Sequence, residues 1–171
     1  MFPAVFDLSK LNGKNGFAIN GINENDQIGW SVNGAGDVNA DGIDDIIIGT
    51  PWANNGTGQS YIIFGKKYGF AASFNLIDLD GSNGFAINGT IGCSPKPCYQ
   101  SVGYKVSTAG DVNGDGIADV IVGVPWANHW LGQSYVIFGN KTGFATPFNL
   151  INLDGSNGFA LTGVHSLDYS G

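Results

Sequence analysis

Asp37-Val38-Asn39-Ala40-Asp41-Gly42-Ile43 recurs, at an offset of 74 residues (position 37 to position 111), as Asp111-Val112-Asn113-Gly114-Asp115-Gly116-Ile117. The match continues downstream: Gly49-Thr50-Pro51-Trp52-Ala53-Asn54 returns as Gly123-Val124-Pro125-Trp126-Ala127-Asn128. A further block, Asn-Gly-Phe-Ala, begins at Asn15, Asn83 and Asn157. Self-similarity at a long, nearly constant spacing is typical of a repeat architecture, so the chain is an array of related units.

The sequence pattern of each unit predicts four short strands, which in the first copy lie at 30–36, 45–49, 60–64 and 84–88. The chain has 28 glycines in 171 residues without a G-X-Y period, which indicates many turns, and no window favours a helix. We therefore predict an all-β fold in which each unit is a four-stranded antiparallel sheet stacked on the next. The predicted divisions are 1–20 (the closing strand of a preceding unit), 21–90 and 91–163 (two complete units), and 164–171 (the start of a further unit).

The charge balance excludes nucleic acid as a partner. Seven lysines, no arginine and fourteen acidic residues give a net charge of -7, which would repel a phosphate backbone. Seven aspartates fall within 37–45 and 111–119, so the acidity is local and indicates a bound cation. No stretch of 18 apolar residues is present, so we predict no membrane span.

The repeated acidic segment has the oxygen spacing of a calcium loop. Side-chain oxygens stand at positions one, three, five and nine, a glycine at six permits a sharp bend, and a backbone carbonyl at seven can add a ligand. The predicted ligands are Asp37, Asn39, Asp41, Ile43 and Asp45 in the first loop, and Asp111, Asn113, Asp115, Ile117 and Asp119 in the second. Asp44 aligns with Ala118, which has no side-chain oxygen, so Asp44 is not included among the predicted calcium ligands. The sequence thus predicts two calcium sites.

The spacing of acidic residues in the loops also has two other interpretations. An EF-hand would need an acidic residue at position twelve and a helix beyond it, but Ile48 and Val122 stand there. The loops therefore join strands. The remaining alternative is a pair of Asx turns that hold no ion, in which three clustered carboxylates would repel one another.

These residues resemble the FG-GAP repeats of integrin α-subunit-like β-propellers and their extracellular relatives. The resemblance is carried by Gly-Asp-x-Asn-x-Asp-Gly-x-x-Asp, by Gly-x-Pro at 49–51 and 123–125, and by the closing Tyr-Ile-Ile-Phe-Gly and Tyr-Val-Ile-Phe-Gly. It implies blades of a β-propeller, two here plus an orphan N-terminal strand block, where the family's ring resembles a seven-bladed disc. The name-giving Phe-Gly is replaced by Ile28-Gly29 and Val102-Gly103.

The predicted function is that of an extracellular, calcium-binding structural or adhesive repeat protein with protein partners. We predict no enzyme, because His129 and His165 lie in non-equivalent positions without a catalytic motif. The alternatives are a carbohydrate-binding module that uses Trp52 and Trp126, and a non-catalytic fragment of a larger surface protein or enzyme. Equivalence in both copies favours packing between blades for these two tryptophans. The loop at Trp130 is either a contact surface or a tip folded onto the next blade.

The two ends of the chain predict assembly. Residues 6–20 match 74–88, the closing part of a unit, while 164–171 match the opening of one. An end of one copy could complete the sheet of another, which would give a head-to-tail ring or filament. The other interpretation is that the chain belongs to a larger propeller.

Two further features concern the cellular compartment in which the protein is found. Cys93 and Cys98 bracket Ser-Pro-Lys-Pro, a loop that a disulfide could close, and the alternative is a pair of free surface thiols in a reducing cell. The glycosylation motif Asn-x-Thr begins at Asn55, Asn88 and Asn140, although Asn-Gly is also a common turn.

Overall fold

Two sheets of the same design dominate the computed structural model, which describes residues 5–89, 101–165 and 167–171. In chain order the strands are β1 (Ala18–Asn20), β2 (Ser31–Gly36), β3 (Asp45–Thr50), β4 (Gln59–Ile63), β5 (Ser73–Asn75), β6 (Gly84–Asn88), β7 (Lys105–Gly110), β8 (Asp119–Val124), β9 (Gln133–Ile137), β10 (Phe148–Asn149) and β11 (Gly158–Thr162). Strands β2, β3, β4 and β6 form blade 1, and β7, β8, β9 and β11 form blade 2. Neighbouring strands within each blade are antiparallel. The predicted all-β fold of tandem four-stranded blades of the β-propeller type is confirmed.

The hairpin formed by the first two strands of each blade bends sharply into the acidic loop. In β2 the pairing with β3 shifts between Gly34 and Gly36, which is a β-bulge, and β7 has the same shift between Thr108 and Gly110. Gly36 and Gly110 have φ of 74° and 75°, a left-handed conformation that favours glycine. The repeated glycine thus directs the chain from the first strand of each blade into its loop.

Of the two apolar core clusters, the larger contains residues of both blades and the smaller contains residues of blade 1 such as Ile48 and Tyr61. Ile47 and Ile62 of blade 1 belong to one buried cluster with Val106 and Val122 of blade 2. The backbones also come close together, because a Cβ atom added to Gly49 would lie 1.9 Å from the carbonyl oxygen of Gly103. Face-to-face stacking is therefore set by apolar burial and by a glycine contact that admits no side chain.

Two short parallel strands connect successive units, and the sequence patterns did not indicate them. Strand β5 pairs in parallel with β1, and β10 pairs in parallel with β6. Each segment therefore extends the outermost strand of the unit before it. Parallel pairs of two or three residues are too short to show a period in sequence, so only the fold reveals them.

The expectation that no segment is helical is wrong at two places. The residues before β4 form a one-turn helix, α1 (Ala53–Gly56), and those before β9 form α2 (Ala127–Trp130). Asn54 and Asn55 have φ of 53° and 58°, so α1 is a tight turn rather than a regular helix. Single 3₁₀ turns occur at Leu8–Lys10, Leu76–Asp78 and Leu150–Asn152. In the described part of the chain, no helix combines the length and the apolar character that crossing a membrane requires.

The contact at Gly49 provides a test of the stacking. Gly49→Ala should lower the free energy of unfolding by about 1–3 kcal/mol, because the new methyl group meets backbone atoms that cannot rotate away. Gly34→Ala is the matched control, since an added Cβ at Gly34 has no atom within 4 Å. Urea unfolding of both variants measures the difference, and equal midpoints would contradict this account of the stacking.

Candidate metal centres in the two hairpin loops

Both acidic segments connect the first and second strands of a blade, as predicted. The first loop joins β2 to β3 and the second joins β7 to β8. Position twelve of each is a core residue: Ile48 is 2% exposed and Val122 is fully buried. The loops therefore lie at equivalent corners of the two blades.

The first three oxygen-bearing side chains of loop 1 bend the backbone around themselves. The Asp37 carboxylate accepts N–H bonds from Asp41 (3.0 Å) and Gly42 (2.8 Å). The Asn39 side-chain oxygen accepts from the Asp41 N–H (3.0 Å), and the Asp41 carboxylate accepts from the Ile43 N–H (2.9 Å). The result is a series of Asx turns with inward-curled backbone.

Loop 2 has the same bonds as loop 1 and one more, from the Gly114 N–H to Asp111. Asp111 accepts from the N–H groups of Gly114, Asp115 and Gly116 at 2.7–3.0 Å. Asn113 accepts from the Asp115 N–H (2.9 Å), and Asp115 accepts from the Ile117 N–H (2.9 Å). The two loops therefore share one set of Asx-turn hydrogen bonds and differ only at their fourth position, where Gly114 adds a bond that Ala40 does not make.

The aspartate at position nine has a separate, structural role in each blade. Asp45 is 2% exposed, and its carboxylate accepts from the N–H of Val38 (2.9 Å) and of Gly65 (2.8 Å). Asp119 is fully buried and accepts from Val112 and Gly139, both at 2.8 Å. A buried carboxylate needs such donors, so this residue ties its loop to the segment that follows the third strand.

The electrostatics of loop 1 favour a positive charge. Burial raises the pKa of Asp45 to about 6; the N–H groups of Gly65 and Val38 oppose this, while the negative charges of Asp41 and Asp37 add to it. The raised pKa means that the fold disfavours the negative charge on Asp45. A cation held among these carboxylates would offset that penalty.

The predicted ligands can be compared with what a calcium ion requires. Within residues 5–89, 101–165 and 167–171, no three His, Cys, Asp or Glu side chains stand close enough to share an ion. Asx turns closed by backbone N–H groups shape both loops. The donor set nevertheless fits calcium, because it consists of hard oxygens and a carboxylate has about four acceptor sites, only some of which these N–H groups fill.

Loop 1 also belongs to the joint between the blades, which sequence reasoning missed. The carbonyl oxygen of Asp37 accepts from the Ala118 N–H (3.2 Å), and that of Val38 accepts from the Asn140 N–H (2.9 Å). Val38 is 2% exposed, whereas its equivalent Val112 is 52% exposed.

Beside loop 2 lies a cavity of about 590 Å³, lined in part by Asn113, Asp115 and Phe138.

The repeated tryptophans contact one another across the blades. The rings of Trp52 and Trp126 stack with centroids 6.2 Å apart, and Tyr104 meets Trp126 edge-on at 4.8 Å. Trp30 continues the row against Tyr104 at 5.6 Å. This arrangement matches packing between blades, the role that the sequence analysis favoured over sugar binding.

The loop at Trp130 receives contacts from the C-terminal segment. Trp130 meets Tyr169 edge-on at 6.1 Å, and the Trp130 carbonyl oxygen accepts from the Leu167 N–H (3.0 Å). The Trp130 side chain stays 49% exposed. The tip therefore contacts Leu167 and Tyr169 of the C-terminal segment, and whether it is also a contact surface stays a prediction.

The candidate modification sites differ in accessibility. Asn55 and Asn140 are exposed, and the Asn140 side-chain oxygen accepts from the hydroxyl of Thr142 (2.7 Å). Asn88 is half-buried. Its side-chain oxygen accepts a hydrogen bond from the Gln59 amide, and its side-chain amide donates one to the Asn149 side-chain oxygen. Cys93, Cys98 and Thr90 lie outside the described residues, so the predicted disulfide and the glycosylation motif that begins at Asn88 stay predictions.

Comparisons with known proteins point to one kind of repeat. A family model described as "FG-GAP repeat" matches residues 29–63 and 102–137. "Integrin alpha pat-2" of Caenorhabditis elegans is 32% identical over 146 residues, which is 79% of this chain and 12% of that protein. "Integrin alpha-2" of Bos taurus is 30% identical over 113 residues, which is 66% of this chain and 8% of that protein. The chain therefore spans about a tenth of the length of these relatives.

The structural role of position nine can be separated from metal binding. In the presence of a chelator, Asp45→Ala should lower the free energy of unfolding by about 2 kcal/mol or more, because two buried N–H groups lose their acceptor. Asp44→Ala is the matched control, since Asp44 is exposed and adjacent. Denaturant unfolding compares the two, and an equal loss in both variants would show that Asp45 has no such role.

Proposed function

Because this chain belongs to the FG-GAP repeat family and is integrin α-like, we propose that it is an extracellular, calcium-stabilised adhesive domain. Its function is to present a rigid stack of blades to protein partners, either further blades or further copies. The proposal is of binding and not of catalysis. The relatives are integrin α chains, and an extracellular location for this chain is part of the proposal.

The observation that carries the calcium part is the repetition of one loop at equivalent corners of two blades. Each loop combines Asp, Asn and Asp oxygens with a glycine at position six, and the proposed shells are those predicted from the sequence. The carbonyls of Ile43 and Ile117 would supply the ligand at position seven. When bound, the ion would neutralise the clustered carboxylates of its loop. The aspartates and asparagines orient those oxygens through the Asx turns already formed.

A calcium ion bound in loop 1 would also affect the contact between the two blades. Because the carbonyls of Asp37 and Val38 accept bonds from blade 2, stiffening the loop would stiffen the seam between the blades. Extracellular modules bind calcium with dissociation constants on the order of 0.1–1 mM, so such sites would be filled outside cells and empty in the cytosol. Calcium would thus favour the rigid form in the compartment where adhesion occurs.

The test is a calcium titration of stability. Calcium should raise the melting temperature of the wild-type chain relative to chelator, and isothermal titration should find two weak sites. Asp41→Ala and Asp115→Ala should each remove about half of the calcium-induced rise, because each deletes one loop's central ligand. Asp44→Ala is the control and should keep the full rise.

The calcium-induced rise is the decisive quantity, because Asp41→Ala also removes an N–H acceptor and so lowers stability without any ion. No rise in the wild-type chain would reject the calcium part of the proposal. An equal rise in all four proteins would place the ion elsewhere.

A further inference from the structure

The cavity beside loop 2 has an equivalent position in the first unit, and the two differ in one residue that follows the third strand. The cavity measures about 590 Å³, and Asn140, Phe144 and Phe148 form part of its wall. At the 74-residue offset of the repeat (position 66 to position 140), these three residues correspond to Lys66, Phe70 and Phe74. The two positions can therefore be compared residue by residue within one molecule.

In the first unit this position holds an ammonium group. The Lys66 Nζ atom lies 5.4 Å from the centroid of the Phe70 ring and 5.8 Å from that of the Phe74 ring. One face of Phe70 is stacked on Phe17, with centroids 4.0 Å apart, so the ammonium takes the remaining face. The negative face of an aromatic ring attracts a cation at this distance. The first unit therefore shows which chemical group suits the two rings.

In the second unit the same rings are present, and a shorter side chain takes the place of the lysine. The Asn140 side-chain oxygen accepts from the N–H and the hydroxyl of Thr142, at 2.8 and 2.7 Å. Phe144 stacks on Phe85 with centroids 4.1 Å apart, so its other face is left toward the cavity that it lines. The cavity thus offers the kind of ring face that the lysine of the first unit covers.

The charged residues around the two positions also correspond. Among its described lining residues, the cavity has the carboxylate of Asp115 and the ammonium of Lys141. The first unit has Asp41 and Lys67 at the equivalent positions, so it accommodates the Lys66 ammonium together with the same two charged residues. The net charge of -7 adds a general attraction for cations. The electrostatics of the cavity are therefore compatible with a second ammonium group.

The position stays accessible when another blade follows. Blade 2 stacks on blade 1, yet Lys66 is exposed and keeps both of its ring contacts. Asn140, its equivalent, is exposed as well. An ammonium group in the cavity is therefore compatible with a further blade stacked on blade 2.

We propose that the cavity beside loop 2 binds the side-chain ammonium of a lysine from a protein partner. The ammonium lies over Phe144 and Phe148, as that of Lys66 lies over its two rings in the first unit. A lysine is favoured over a metal ion, because aromatic faces attract an organic ammonium and supply no oxygen ligand. The inference rests on the proposed function and deepens it, since it names the chemistry by which the adhesive domain recognises a partner.

One difference between the two units sets the expected affinity. Asn152 lines the cavity at the position where the first unit has Asp78, so an amide oxygen replaces a carboxylate. A carboxylate binds an ammonium more strongly than a neutral acceptor does. A single lysine side chain should therefore bind in the millimolar range, as one contact of a larger interface.

The test is a nuclear magnetic resonance titration of the full, isotope-labelled chain with the blocked tripeptide Gly-Lys-Gly, in the presence of a chelator. The peptide should cause saturable shifts of the backbone N–H signals of residues 139–149. The same peptide acetylated on the lysine Nζ should bind about fivefold or more weakly, because the amide that replaces the ammonium carries no charge. The chelator keeps calcium away from Asp115, so the titration measures the cavity alone.

Exchanging the residue that differs between the units gives the sharpest outcome. Asn140→Lys places the chain's own ammonium over the rings and should abolish binding at the cavity. Lys66→Asn should open the equivalent position, so that the peptide also shifts the signals of residues 65–75. Ile77→Lys is the matched control, because it adds the same charge at a side chain that is 68% exposed and does not line the cavity, and it should bind the peptide as wild type does.

A third variant tests the rings themselves. Phe148→Leu keeps an apolar side chain and removes the aromatic face, so it should weaken peptide binding by about threefold or more. If this variant does not fold, Asn140→Lys still decides, because Lys66 shows that a lysine is compatible with the same turn. The inference would be overturned by the absence of saturable binding, by equal binding of the acetylated peptide, or by unchanged binding in Asn140→Lys.

A further measurement separates this inference from the calcium proposal. The calcium-induced rise in melting temperature is determined on the same wild-type preparation. Peptide binding without such a rise would reject the calcium proposal alone, and a rise without peptide binding would reject this inference alone.

Discussion

A buried carboxylate at position nine of each hairpin loop joins three pieces of backbone within one blade. Asp45 opens β3, and it accepts N–H bonds from Val38 inside the loop and from Gly65 beyond β4. Asp119 makes the same pair of bonds in blade 2. An ionised carboxylate is tolerated in a protein interior only with such donors, so this residue fixes the loop, the hairpin of the first two strands and the end of the third strand relative to one another. The oxygens proposed to bind calcium are thereby held at a defined corner of the blade.

The seam between the blades depends on groups that tolerate very little change. Gly49 lies against the backbone of Gly103, where any side chain would collide. The acidic loop of blade 1 accepts two N–H bonds from blade 2, so the candidate metal centre and the seam share residues. Each blade contacts its neighbour through backbone and core alike. In such a stack, stability is roughly a sum of blade terms and nearest-neighbour terms, and a change in one loop is felt first at its own seam.

The covered strands show how successive units are connected at their outer edge. A short parallel strand, a stacked pair of phenylalanines and an amide contact occur together at β1 and again at β6. Because the same three contacts recur, they form one structural motif with a recognisable sequence. The equivalent side chains of β11, Phe159 and Leu161, are exposed.

The sequence by itself determined the number of units, the order of the four main strands and the oxygen set of both loops. These depend on repetition, on short-range alternation and on glycine at bends such as Gly36, all of which are local. The short strands β5 and β10 were not predictable, because two or three residues carry no period and their partners come from the preceding unit. Only the tertiary structure decided that Trp52 stacks on Trp126, and that Val38 is buried while its equivalent Val112 is exposed. Equal sequences acquire unequal burial when a neighbouring blade covers one of them and not the other, and a local pattern cannot encode which neighbour is present.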